Sequence, residues 1–310
     1  MYPTPLVIET RVFARIPDRY RIRGRSSHWI DVHRGGQATE CFLEGPSFDR
    51  AGNLHLVDVA WGRVFRISPA GEVDLLIEYD GEPNGLKIHR DGRIFIADFR
   101  HGILSLDPRS GALSAVLDRA QIPGFKGPND LVFAENGDLY FTDQGSTGLH
   151  DPAGRVCRLR TDGGLDMLIS GIPSPNGIAI SRDQATLYVS VTRDNAVWRA
   201  PLGKDGKAFK VGAFLRLSGG VGPDGLALDQ NGGLAVAHLG LGSVWLFNAQ
   251  GEPTARIRSC AGSATTNIAF GGPERRHLYI TESDSSQVLI AELPVAGLPM
   301  FSHSHPEVGP

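Results

Sequence analysis

The sequence predicts an all-β fold, a six-bladed β-propeller with four-stranded antiparallel blades, and three observations predict it. A hairpin-sized unit occurs six times without internal gaps. Its copies open at Glu44, Asn84, Asn129, Asn176, Asp224 and Asn267 and close fourteen residues later at Asp58, Asp98, Asp143, Ser190, His238 and Thr281. The openings are 40, 45, 47, 48 and 43 residues apart, the period of a blade and not of a helical solenoid. Composition agrees, because 39 Gly and 20 Pro among 310 residues suit many short strands joined by turns, and no long amphipathic helix interrupts them.

The unit is clearest from Pro223 to His238. An acidic residue after Pro opens an alternating apolar run, Asn231-Gly232-Gly233 reverses the chain, and a second apolar run ends on His238. A third strand pattern follows each unit, at Arg63 to Ser68, Gly102 to Asp107, Arg155 to Arg160, Ala196 to Ala200, Ser243 to Asn248 and Gln287 to Glu292. A fourth follows five of them, at Val73 to Tyr79, Leu113 to Asp118, Leu165 to Ser170, Val211 to Leu217 and Thr254 to Arg258. The sixth lacks its own. Val7 to Ile16 has the length and alternation to supply that strand and so to close the ring beside Gln287 to Glu292, leaving no open sheet edge.

The expected organisation is one propeller domain over residues 1–295, with 17–40 inserted as a loop or lid over the channel mouth and 296–310 as a surface tail. The insert places 27 residues between Ile16 and Glu44, far more than a turn needs, and includes Arg21, Arg23, Arg25, His28, Trp29 and His33. A net charge of −3, from 31 Lys+Arg against 34 Asp+Glu, gives no basic surface for nucleic acid. No apolar run reaches the ~20 residues of a membrane span, and the start of the chain lacks a secretory pattern, so the expectation is a cytoplasmic protein with no membrane partner. Oligomeric state leaves no mark in the sequence. Cys41, Cys157 and Cys260 are odd in number and without CxxC spacing, which excludes a disulfide framework or a thiolate zinc site.

In a propeller the first strand of every blade faces the central axis, so the six opening residues form a ring. Each offers a hard oxygen, and Glu44 and Asp224 carry charge. Two carboxylates among amides suit one divalent metal ion, Ca²⁺ first, with Mg²⁺, Zn²⁺ and Mn²⁺ as further choices. Asn-Gly and Asp-Gly are ordinarily turn formers. Six oxygens in register, including Glu44 and Asn267 without that pair, point instead to a site. The closing aspartates Asp58, Asp98 and Asp143 are expected to cap backbone N–H groups at strand ends.

The stretches Cys41–Asp49, Gly127-Pro128-Asn129-Asp130, Ser174-Pro175-Asn176-Gly177, Pro223-Asp224-Gly225 and Thr265–Gly272 resemble the ordered motifs of the SMP-30/gluconolactonase family. The resemblance spans Glu44 to Glu292 and implies a six-bladed propeller that hydrolyses a small-molecule lactone. It further implies that Glu44, Asn176 and Asp224 hold the metal and that Asn129 contacts substrate. Asn84, Asn267 and His101 are added as substrate-binding candidates. One departure stands out: animal members carry Arg two residues before the asparagine of the third unit, where this chain has Gly127. The insert arginines Arg19 to Arg25, His101 or His238 are expected to substitute.

The expected chemistry is metal polarisation of the lactone carbonyl, with Asp224 as ligand and general base. His238 is the rival base. Phosphotriester hydrolysis on the same oxygens, a strictosidine-synthase-like reaction using Glu282, and a non-catalytic binding propeller are the alternatives. The oxygen-rich ring argues against the last of these.

Overall fold

The computed structural model describes residues 4–304. Its strands form six sheets, and the inner strand of each opens one repeat: Leu43–Phe48, Pro83–Ile88, Pro128–Phe133, Pro175–Ile180, Gly222–Leu228 and Thr265–Gly271. Each inner strand packs against the next, and Thr265–Gly271 packs back against Leu43–Phe48, so the ring is closed. The cores lie between the blades, where alternate residues of neighbouring sheets meet. Leu54, Leu56, Phe65 and Ile67 of the first blade bury against Ala269, Tyr279, Val288 and Ile290 of the sixth. Such apolar burial, at roughly 25 cal/mol per Å², is what holds the blades together.

The N-terminal run closes the ring, but as two strands and not the single one expected over Val7 to Ile16. Arg11–Arg15 pairs antiparallel with Gln287–Glu292 and completes the sixth blade. Leu6–Glu9 runs parallel to Pro253–Arg258 and makes the fifth blade five-stranded. The break falls at Thr10, whose N–H and hydroxyl both donate to the Arg258 carbonyl while the hydroxyl accepts from Cys260 N–H. Pinned there, the chain steps from one blade to the next.

Two further segments differ from their sequence reading. The insert folds into a helix, His28–Arg34, capped by the Ser27 hydroxyl and ended by Gly35 in the left-handed region. It docks by burying Trp29 and Ile30, by setting Trp29 at a tilt against Phe42 (4.6 Å between centroids), and by a 2.7 Å contact of His28 with buried Glu82. The tail is bound through Ser304: Leu298 N–H donates to Leu228, Ser302 Oγ to the Phe48 carbonyl, and Phe301 stacks on Phe133. Residues 305–310 lie outside the described residues. Together with the lower ends of the inner strands, the tail encloses a mainly apolar cavity of about 530 Å³ opposite the mouth. Among the described residues no helix is long and apolar enough to cross a membrane.

Candidate active site at the mouth of the channel

The ring is built by a bulge repeated in every blade. Around each opening residue the pairing slips, so that two inner-strand residues oppose one on the next strand, between Glu44 and Ser47 in the first blade and between Pro223 and Leu226 in the fifth. A bulge re-aims a side chain out of the ordinary alternation. Here it re-aims the polar residues around the axis. The glycines that follow are therefore not turn residues. A Cβ on Gly177 would lie 2.3 Å from the Asp224 carbonyl oxygen, and one on Gly85 2.6 Å from the Asp130 Cα, so glycine is what lets adjacent inner strands approach so closely.

Buried hydroxyls tie the blades at the same level. Thr142 donates to the Asn176 carbonyl at 2.8 Å, Thr192 to Pro223 at 2.8 Å and Thr266 to Leu43 at 2.7 Å. The closing aspartates bind backbone N–H groups, Asp58 that of Phe42, Asp98 those of Glu82, Arg100 and His101, and Asp143 those of Lys126 and Gly127. Arg63 and Arg155 neutralise Asp58 and Asp143.

Above the ring lies a cavity of about 800 Å³, and its lining includes Glu44, Asn84, Asn129, Asn176 and Asp224. The sixth ring residue does something else. Asn267 is 1% exposed, donates Nδ2 to Glu44 Oε2 at 2.9 Å and accepts the Ile268 N–H, so it positions Glu44 and does not line the cavity. Glu44 Oε2 also accepts the Gly45 N–H. Asn129 Nδ2 is held by Gln144 Oε1 at 2.9 Å, and Gln144 in turn donates to Ser174. That leaves Asn129 Oδ1 and Asp224 Oδ1 as buried oxygens with no hydrogen-bond partner.

The electrostatics are severe. Burial, then the negative charges of Glu44 and Asp130, push the Asp224 carboxyl well above its ordinary range, with Asn176 and Arg193 opposing. Burial likewise raises Glu44, against the bonds from Asn267 and Gly45. Against three buried acids stand Lys87, whose Nζ lies 3.7 Å from Asp130, and the more distant charge of Arg193. Two acids in one dry site cannot both ionise without a counter-charge. Unpartnered hard oxygens at the end of a channel that resists carboxylate ionisation fit a divalent cation. Among the described residues no group of three His, Cys, Asp or Glu converges, so such a cation would rely on Asn176 beside the two carboxylates.

The histidine candidates sit elsewhere. His238 is 1% exposed and shares its Nε2 with the Gly219 carbonyl at 2.9 Å; burial lowers its pKa, which keeps the ring neutral, and it is absent from the cavity lining. His101 Nε2 binds the Asp80 carbonyl at 2.7 Å. Arg21 and Arg23 are taken by Glu40 and Asp18, and Arg25 stacks over Trp61. At Gly127, a Cβ would strike the Phe99 ring at 2.7 Å, so that ring fills the place a side chain would leave by. Buried Cys41 contacts Tyr20 and Arg63, not the cavity, and burial pushes its thiol up to about 12.

Sequence reasoning missed Asp130, Gln144, Phe99 and Arg193, and reached Arg34 only as part of the insert expected to cover the mouth. Asp130 had a signal, since it stands where the first, second, fourth and fifth units have Gly. The basic side chains that do line the mouth are His33, Arg34, His150 and Arg193, the first two from the insert helix. The length of the insert marked the first two as mouth residues, whereas nothing in the local sequence marks His150 or Arg193.

Residues 42–284 match the family model described as the SMP-30/Gluconolactonase/LRE-like region. The chain is 32% identical over 240 residues to lactonase drp35 of Staphylococcus aureus strain USA300, covering 74% of this chain and 72% of that protein. It is 31% identical over 274 residues to the gluconolactonase of Zymomonas mobilis, covering 77% and 76%. Among solved structures, that of the calcium-binding protein regucalcin from Agrobacterium tumefaciens aligns with a TM-score of 0.77 at 22% identity, over 96% of this chain and 98% of that one. With its repeat, its bulged ring and a matched region covering most of its length, the chain belongs to the SMP-30/gluconolactonase/LRE-like family.

Proposed function

We propose that the protein is a divalent-metal-dependent hydrolase that opens the ester ring of a lactone. The observation that carries this is the pair of buried, unpartnered oxygens, Asp224 Oδ1 and Asn129 Oδ1, beside Glu44 in one open cavity. The names of the lactonase and gluconolactonase relatives support the choice of substrate.

Glu44, Asn176 and Asp224 would hold the cation, Ca²⁺ first among the candidates, and a bound cation supplies a Lewis acid for the developing oxyanion. Glu44 is oriented for this by Asn267 and Gly45, which together fix one carboxylate oxygen. Asp224, ionised once counter-charged, accepts the proton of the attacking water. Asn129 is held by Gln144 with its carbonyl oxygen uncommitted, and it accepts a hydrogen bond from a substrate hydroxyl. Trp29, Phe42 and Phe99 at the cavity wall keep bulk water from the reacting ester.

The test is elemental analysis of the purified protein followed by a pH-drop assay over aldonolactones, aliphatic lactones, aromatic lactones and a phosphotriester, with and without chelator. Lactone turnover that is lost on chelation and restored by a divalent cation is expected. Turnover of the phosphotriester alone, or lactone turnover indifferent to chelation, overturns the reading.

A further inference from the structure

The charges of the mouth are segregated. Among the described residues that line it, the only carboxylates, Glu44 and Asp224, are buried at the floor, while Arg34 and Arg193 are more exposed, at the rim. Most other arginines of this end are matched with an acid: Arg63 with Asp58, Arg155 with Asp143, Arg100 with Asp80, and Arg23 with Asp18 and Glu40. Arg193 is not, and Arg34 is matched only loosely, by Asp284 at 4.0 Å. Arg193 lies in the turn Thr192–Asp194, exposed, with no hydrogen bond or ion pair to another described residue; the acid next to it, Asp194, is taken by Arg216 at 2.8 Å. Arg34 ends the insert helix half-buried over the Phe42 ring. Its Nε is buried without a partner, and its nearest carboxylate, Asp284, is at 4.0 Å, beyond hydrogen-bond length.

A buried guanidinium N–H without an acceptor is costly, and a planar, permanently charged fork is suited to a carboxylate. Between rim and floor the wall is aromatic and apolar, with Trp29, Phe42, Phe99 and Leu239. We propose that Arg193, with Arg34 elsewhere on the same rim, makes the mouth an anion-binding one, and that the substrate is a lactone bearing a carboxylate on its ring. The rim charges then hold the substituent away from the acidic floor and turn the ester carbonyl towards Glu44 and Asp224. This rests on the lactone reading above and adds the substrate class to it.

The proposal is tested with two isosteric γ-lactones, 5-oxotetrahydrofuran-2-carboxylate and its neutral carboxamide, and with glutarate titrated calorimetrically into metal-free protein. The wild type should favour the carboxylate in kcat/KM by about tenfold or more, the scale of one charge-assisted hydrogen bond. That ratio should fall towards one in R193Q and in R34Q and shrink with added salt, as screening requires. Glutarate should bind the wild type and bind R193Q about tenfold more weakly. Because Arg193 is exposed, R193Q keeps the fold and is decisive even if R34Q does not. Equal rates on carboxylate and amide, or glutarate affinity unchanged in R193Q, overturn the subsite while lactone hydrolysis stands. Arginine-dependent glutarate binding without turnover of either lactone supports the subsite and refutes the lactone reading instead.

Discussion

Replacing Asp224 with Asn keeps an oxygen and nearly the same volume at the floor of the cavity but removes both charge and basicity. Asp224 is 3% exposed, its Oδ1 has no protein partner, and Glu44 shares its site, so two consequences follow. With metal supplied, turnover should fall by ~10²-fold or more, the scale of a lost general base. Without metal, the substitution should change how stability responds to pH. A carboxyl whose native pKa is raised holds a proton that the unfolded chain has already released. Stability therefore falls as pH rises from about 4, where unfolded carboxylates titrate, up to the raised native value. Each such carboxyl contributes a slope of about 1.4 kcal/mol per pH unit. D224N removes one contributor and relieves Glu44 of a neighbouring charge, so its slope should be shallower by about that amount or more. Denaturant unfolding in chelator at several pH values measures the slope, and calorimetry confirms retained metal. A variant that binds metal and turns over at near-normal rate would move the proton acceptor elsewhere. A slope equal to that of the wild type would show that Asp224 is ionised in the metal-free fold.

Three further outcomes are expected. Gly177→Ala drives a methyl into the Asp224 carbonyl, a backbone contact that cannot swing away, and should cost at least ~1–3 kcal/mol in denaturant unfolding while lowering metal affinity; full stability would refute the close-approach account. Deleting residues 1–16 strips strands from both the fifth and the sixth blade and removes buried Ala14 and Ile16, so the thermal midpoint should fall clearly, and an unchanged midpoint and cooperativity would show that this double closure is dispensable. Replacing residues 19–34 by a short Gly-Ser linker removes Trp29, His33 and Arg34 from the wall and should change KM or substrate preference with metal stoichiometry intact; loss of bound metal would show that the insert supports the metal site itself.

The sequence by itself determined the repeat, and with it the fold, because each blade is a local meander whose turns and alternation are written within forty-odd residues. It also determined that six oxygens share one level, since any gap-free repeat places equivalent residues at equivalent positions around an axis. What it could not determine is which of those oxygens are free. Asn267 reads like the others, yet the ring sets it beside Glu44, two hundred residues away in the chain, and commits both ends of its amide. His238 looks like a base at a blade end, but the loop at Gly219 claims its Nε2 and the ring lies outside the cavity lining. The N-terminal run alternates without a break and still divides at Thr10, because Arg258 of another blade accepts its hydrogen bonds. The rim was the least legible part. Whether an arginine is spent or available depends on which acid lies across the mouth, and Arg23 and Arg193, alike in isolation, differ only because tertiary structure brings Glu40 to one and leaves the other facing the cavity.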